Sequence, residues 1–508
     1  MRDLTKEAPN LALYDASAQT RRHLLASSGS LAALAGMSYL GFGASPRALA
    51  QVSPTRLVIE QRSLEVLGRA ALVYGIGQVN RTSGIVLGPG KRFNVSLENR
   101  LVEDTIIHWH GQTPPYPQDG VVSGHNSAIL AGETRSYDYA PRTGTHWMHS
   151  HLGLQEQLLL AAPMIVCTPE EARADVQDVI ILLADFTFRD PAQILDDLRR
   201  GGKSGHNLDK ADGAGAMPTM PGMASTRGSM ESMPGKAPAP DLNDVTYEAF
   251  LANDRTLADP EIVAVERGGR VRLRIINGAT TSAFHIDLGQ LDGTLVAVDG
   301  NPVEPVSGRR FGMAVAQRLD ILLNLPREGG TYPILAQNEG GIGRTGLILA
   351  SAAAMVAKVP LSADAAAPPV DMALEEKLVA VAPLADRPPD ITHRIALTGI
   401  MDKYVWSIDE RTWGNHRPLT VRLGQRVVIE MRNTTMMAHP MHLHGHHFQV
   451  IAINGRALRG AVRDTVLVLP QATVTIAFDA NNPGRWFFHC HNLFHRDVGM
   501  QTEVIYDV

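Results

Sequence analysis

The stretch Gly424-Gln425-Arg426-Val427-Val428-Ile429-Glu430-Met431-Arg432-Asn433 sets apolar side chains at Val427, Ile429 and Met431, every second position, between a turn glycine and a closing asparagine. Alternation of that period puts one face of a strand on a core. The pattern recurs from Gly90 to Asn99, with Phe93, Val95 and Leu97, and from Gly268 to Asn277, with Val271, Leu273 and Ile275. Such self-similarity at domain-sized spacing predicts three copies of one β-rich unit. Other short alternating stretches, such as Val179 to Leu183, Leu295 to Val298 and Thr473 to Phe478, stand between Gly, Pro, Asn and Asp, and helical periodicity is scarce. An all-β sandwich architecture follows. The length of 508 residues agrees, being too great for one core.

Two stretches depart from this pattern. Residues 201–240 are rich in Gly, Pro, Ser and Met; residues 351–390, rich in Ala and Pro, read as a link between the second and third units. At the start, Arg21-Arg22 precedes an apolar run that ends in Ala48-Leu49-Ala50. Residues 1–50 therefore read as a twin-arginine export signal, implying a mature periplasmic protein with no stable membrane insertion. A net charge of −5 and the lack of a basic patch disfavour nucleic acid as a partner. Only two cysteines are present, Cys167 in an apolar run and Cys490 among histidines, so disulfides are not expected.

The second signal is chemical. In His489-Cys490-His491-Asn492-Leu493-Phe494-His495-Arg496-Asp497-Val498-Gly499-Met500, an extended backbone would send His489 and His491 one way and Cys490 the other. Cys490, His495 and Met500 offer the thiolate, imidazole and thioether of a His₂Cys copper site with a weak axial Met, needing one more His. Three further alternating pairs stand at His108 and His110, His149 and His151, and His442 and His444. With His489 and His491 they make eight imidazoles, which suit three copper ions, and His439 is left to join Cys490.

These four segments resemble the copper motifs of the multicopper oxidases in order and spacing. The resemblance implies three cupredoxin-like Greek-key β-sandwich domains, at about 51–172, 173–366 and 367–508, and four copper ions. It puts His439, Cys490, His495 and Met500 on type 1 copper and His108 and His442 on type 2. The type 3 pair would take His110, His149, His151, His444, His489 and His491. It further implies one-electron oxidation of a donor at type 1 copper, with electrons passing through Cys490 to a cluster that reduces dioxygen to water. On this reading the motif-free middle domain only spaces its neighbours. Met500, where some laccases carry a non-coordinating residue, implies a low or moderate type 1 potential.

Water formation consumes protons, and Asp119, in Gln118-Asp119-Gly120, stands where the family has an acid beside the cluster. The position just past His495, a Glu in copper-tolerance relatives, is Arg496 here. His146, His446 and His447 read as packing groups, and His125, His206, His285, His393 and His416 have no partner spacing. Two donors divide the function: cuprous ion, as in copper tolerance, or phenols, as in laccases, which need an open approach to His439. Met217, Met220, Met223, Met230 and Met233 are candidate Cu(I) ligands, since thioethers are soft. Met437, just before His439, is another. The oligomeric state is not legible. A non-enzymatic cupredoxin scaffold would lack some of these ligands, and a copper nitrite reductase would lack the paired histidines around Cys490.

Overall fold

The computed structural model describes residues 53–123, 126–201 and 242–507. Residues 1–50, read as an export signal, His125, His206 and all five methionines from Met217 to Met233 lie outside the described residues.

Each repeat forms the expected strand, at Phe93–Asn99, Arg270–Asn277 and Arg426–Asn433. Each runs parallel to the first strand of its sheet (Thr55–Val66, Gln177–Phe186 and Ile391–Ile400) and antiparallel to a third (Thr134–Tyr139, Arg318–Asn324 and Thr473–Asp479). A second sheet in each unit also holds one parallel pair: Ile85–Leu87 with Ala161–Val166, Ile262–Val265 with Arg344–Ser351, and Leu419–Val421 with Gln501–Tyr506. Parallel neighbours cannot be joined by a hairpin, so the chain must cross between the two sheets. The result is three Greek-key β-sandwiches of cupredoxin type.

The closing asparagine of each repeat has one shared task. Its Nδ2 donates to two or more backbone carbonyls, among them Glu103 (2.9 Å) and Ile129 (3.0 Å) for Asn99, Ser282 and Ala314 (both 3.0 Å) for Asn277, and Met437 (2.7 Å) and Val468 (3.0 Å) for Asn433. Its Oδ1 accepts from the backbone N–H two residues on, at Leu101, Ala279 and Thr435. All three asparagines are fully buried. Replacement by an apolar residue would strand buried carbonyls at about 1–3 kcal/mol each.

Residues 351–390, read as a link, are bonded to the domain they leave. Ser362, Ala367 and Ala380 form bridges with Gly343, Glu339 and Val303, and the Glu304 N–H donates to the Val379 carbonyl at 2.8 Å. The segment is strapped to the second domain through backbone bonds, which leave no periodic side-chain signature. Cys167 is buried, packed with Trp147 and Ile165. Among the described residues no helix is long and apolar enough to cross a membrane.

Candidate metal centre

Strand alternation places the histidine pairs. In the first domain Ile107–His110 lies antiparallel to Gly144–Ser150, with His108 opposite His149 and Trp109 opposite Met148. Trp109 turns into the core, edge-on to Phe93 at 4.7 Å, which sends His108 and His110 to the other face. In the third domain His439–Leu443 pairs with Arg485–Cys490, setting His442 opposite His489 and Met441 opposite Cys490. After Cys490 the strand ends, and the Asn492 side chain caps the short helix Leu493–Asp497 by accepting from the His495 N–H. That turn returns His495 to Cys490, and the Cys490 N–H donates to the Met500 carbonyl at 3.0 Å.

The eight cluster imidazoles meet between the first and third domains. One nitrogen of most of them donates to a fixed acceptor, which leaves the other as a bare lone pair. His108 Nδ1 donates to the Asp119 carbonyl (2.9 Å) and His442 Nδ1 to the Asp464 carbonyl (2.8 Å), and their Nε2 atoms face each other at 3.4 Å. His444 Nδ1 donates to Asp119 Oδ2 (2.9 Å) and His489 Nδ1 to the Cys490 carbonyl (2.9 Å); their Nε2 atoms lie 3.0 Å apart, with His151 Nε2 at 3.4 Å from that of His489. His110 Nε2 donates to Asp464 Oδ1 (3.0 Å) and His149 Nδ1 to the Ser150 carbonyl (2.9 Å).

That leaves His110 Nδ1, His149 Nε2 and His491 Nε2 buried without any partner. Three orphaned buried nitrogens in one group, whose donor atoms lie within 4.8 Å of one another, mark a place for a cation. Two more groups of the same kind are His151 with His444 and His489, and His108 with His110 and His442. Burial pushes the imidazoles of His110, His151, His444, His489 and His491 well below their ordinary pKa, and that of His442 down to about 3. Neutral imidazole is the form a metal needs.

The thiol-bearing group lies apart, in the third domain's core. His439 Nδ1 and His495 Nδ1 are 3.2 Å apart, and Cys490 Sγ is 3.7 Å from each. Both Nε2 atoms are engaged, His439 with the Thr435 hydroxyl (2.8 Å) and His495 with Asp244 Oδ2 (2.9 Å), so both Nδ1 atoms face Sγ bare. Burial pushes the Cys490 thiol up, so a thiolate forms there when a cation displaces its proton. Met500 is fully buried. Two imidazoles, one thiol and a following methionine fit copper by donor softness.

The open approach to His439 that a phenol would need is not present: the ring is buried, its outer nitrogen is taken by Thr435, and Trp406 packs against both imidazoles at centroid distances of 5.2 and 4.2 Å. Nor is the middle domain a bare spacer. Its buried Arg318 grips Asp464 through Nη1 (2.7 Å) and Nη2 (2.5 Å), and donates from Nε to the Thr145 carbonyl on the strand that carries His149. Burial acts to raise Asp464, and the Arg318 guanidinium with His110 overcomes it, holding the carboxyl well below its usual range.

Asp464, Arg318, Asp244 and Glu156 were missed by sequence reasoning, since each is a lone charge without ligand spacing. Asp119 is fully buried between His108 and His444, with Oδ1 3.4 Å from His108 Nδ1 and accepting no hydrogen bond. Met437 is buried in the third domain's core. His446 Nδ1 meets the His444 carbonyl at 3.2 Å and His447 Nε2 the Gly111 carbonyl at 2.8 Å, so both support the backbone of histidine-bearing segments; His146 Nε2 bonds the Thr143 carbonyl.

Comparison with known proteins agrees with this geometry. Three family models, each described as multicopper oxidase, match residues 61–171, 177–357 and 386–508. The chain is 33% identical over 432 residues to the multicopper oxidase MmcO of Mycobacterium tuberculosis, covering 82% of this chain and 80% of that one. It is 27% identical to a copper resistance protein A homolog of Pseudomonas syringae pv. tomato, covering 88% and 91%. Its fold matches that of Fet3p, a multicopper oxidase that functions in iron import, with a TM-score of 0.70 at 18% identity over 89% and 90% of the two chains. Three matching family models and a 33% identical relative show that this chain belongs to the multicopper oxidase family.

Proposed function

We propose that the protein oxidises cuprous ion and reduces dioxygen to water, as an exported, periplasmic enzyme of copper tolerance. The observation that carries this reading is the convergence of bare imidazole nitrogens on two separate places, one of them built around Cys490. His439, Cys490, His495 and Met500 would hold type 1 copper, His108 and His442 type 2, and His110, His149, His151, His444, His489 and His491 the type 3 pair. When bound, copper supplies one-electron redox chemistry at the first place and dioxygen binding and reduction at the second.

The chain's own part begins at Asp244. Its carboxylate sits on the outer nitrogen of His495 and accepts from the Tyr404 hydroxyl at 2.6 Å, an arrangement that favours a cationic donor. Asp244 also follows closely on the stretch from Met217 to Met233, whose thioethers suit Cu(I). Cys490 is bonded through the backbone to His489 and His491, so its sulfur is joined covalently to both type 3 groups. At the cluster Asp119 Oδ1, buried and free of hydrogen bonds, is placed to hold a proton while Oδ2 keeps His444 oriented. Oxygen uptake by the copper-loaded enzyme with Cu(I), compared with a simple phenol, tests the donor. Faster turnover of the phenol would make the protein a laccase-like oxidase.

Two substitutions extend the test. Asp119→Asn keeps an acceptor for His444 but removes the transferable proton. Copper content and type 1 reduction should persist, while reoxidation by dioxygen, followed by rapid mixing, slows about 10²-fold. An unchanged rate would leave Asp119 as an orienting group only. Replacing Met217, Met220, Met223, Met230 and Met233 by Ser should lower cuprous oxidation severalfold and leave phenol oxidation unchanged or higher. Equal Cu(I) turnover before and after would remove the metal-gathering role.

A further inference from the structure

Glu156 lies in the turn Gln155–Leu158, just after His149 and His151, with its side chain 1% exposed. Both carboxylate oxygens are buried and neither accepts a hydrogen bond. An ionised carboxylate in that state is costly, and it calls for an explanation.

Three groups surround it. Oε2 is 3.3 Å from His149 Nδ1 and 3.6 Å from Arg496 Nη1, and Oε1 is 3.9 Å from His491 Nδ1. Arg496 is itself buried, and its other amino group donates to the Gly153 carbonyl at 2.9 Å. The carboxylate therefore bridges the first domain, which supplies His149, and the third, which supplies His491 and Arg496. On the far side of the same two rings, His149 Nε2 and His491 Nε2 are the atoms left without partners. His149 Nδ1 donates to the Ser150 carbonyl at 2.9 Å with the carboxylate beside it, and at His491 the carboxylate beside Nδ1 favours the same Nδ1–H tautomer, so a lone pair stands on each Nε2.

We propose that Glu156 is a positioning residue for the paired-copper group, its carboxylate lying beside both Nδ1 atoms so that it reinforces the hold of the Ser150 carbonyl on His149 and sets the tautomer and rotation of His491, which brings their Nε2 atoms together. Arg496 stands beside that carboxylate as its counter-charge and links it to the Gly153 carbonyl. The proposal rests on the reading of His149 and His491 as copper ligands. It assigns Arg496 a task that its sequence position does not suggest: it is the counter-charge of an acid contributed by another domain.

The test is copper retention against a graded chelator, read on the holoprotein by copper count, by the near-ultraviolet absorption of the paired ions and by the blue absorption of the Cys490 site. Glu156→Gln should weaken retention of the cluster copper 10- to 100-fold with the blue band unchanged. Because that change strands Arg496, the double variant Glu156→Gln with Arg496→Met is measured beside it. Weakened retention in the double variant supports positioning by Glu156. Wild-type retention in the double variant would overturn the proposal and leave Glu156 as a counter-ion for Arg496. If the wild-type protein itself takes up copper at the blue site alone, the ligand reading and this proposal fall together, before any variant is compared.

Discussion

Cys490→Ser is expected to remove the blue absorption and the oxidation of every donor together, with one copper fewer bound per chain. The sulfur is the sole thiol at the metal centre, facing His439 Nδ1 and His495 Nδ1 at 3.7 Å each. A serine hydroxyl in its place is a hard, weak ligand, and copper there loses the thiolate that gives colour and a path to His489 and His491. The cluster histidines do not depend on the sulfur: His489 is oriented by the Cys490 carbonyl, a backbone atom that serine retains. Cluster copper should therefore remain and its near-ultraviolet absorption persist. Folding should weaken by about 1–3 kcal/mol at most, the cost of one buried hydroxyl left short of a partner. Elemental analysis with absorption spectra checks both halves. Blue colour in the serine variant would mean that the metal at this place is held by other groups.

How much of this was legible in the chain differs between the fold and the site. The repeats ending at Asn99, Asn277 and Asn433 could be read because strand alternation writes burial into every second residue, and all three became strands with the same asparagine bonding. The histidine pairs were legible for the same reason, since a period of two puts both rings on one face. What surrounds the rings was not. Asp464 is hydrogen-bonded to His110, three hundred and fifty-four positions away, and no local pattern distinguishes it from a surface carboxylate. Glu156 and Arg496 likewise meet only because the first and third domains pack together. Asp244 follows a composition-biased stretch and gives no sign that it reaches His495. Side-chain identity at strand spacing carries the ligands, whereas their orienting partners are set by domain packing.

Arg318→Met should show how far the middle domain enters the cluster. The guanidinium is fully buried and bonds both oxygens of Asp464, the Thr145 carbonyl and the Ala316 carbonyl. Its removal leaves Asp464 buried with its closest counter-charge gone, and breaking such a pair from one side costs about 3–5 kcal/mol. The cost falls on the site as well as on the fold. Asp464 Oδ1 accepts from His110 Nε2, and the neighbouring backbone carbonyl accepts from His442 Nδ1, so a displaced or protonated Asp464 loosens two imidazoles at once. Denaturant unfolding should show the lost stability, and chelator competition a weaker hold on cluster copper, about 10- to 100-fold. The blue site, whose His439 and His495 are oriented by Thr435 and Asp244 instead, should keep its absorption. Adding Asp464→Asn to Arg318→Met removes the stranded charge while leaving a carbonyl oxygen for His110. Stability should then recover by most of the loss, because both charges have gone together. Unchanged unfolding and copper retention in the single Arg318→Met variant would return the middle domain to the part of a spacer.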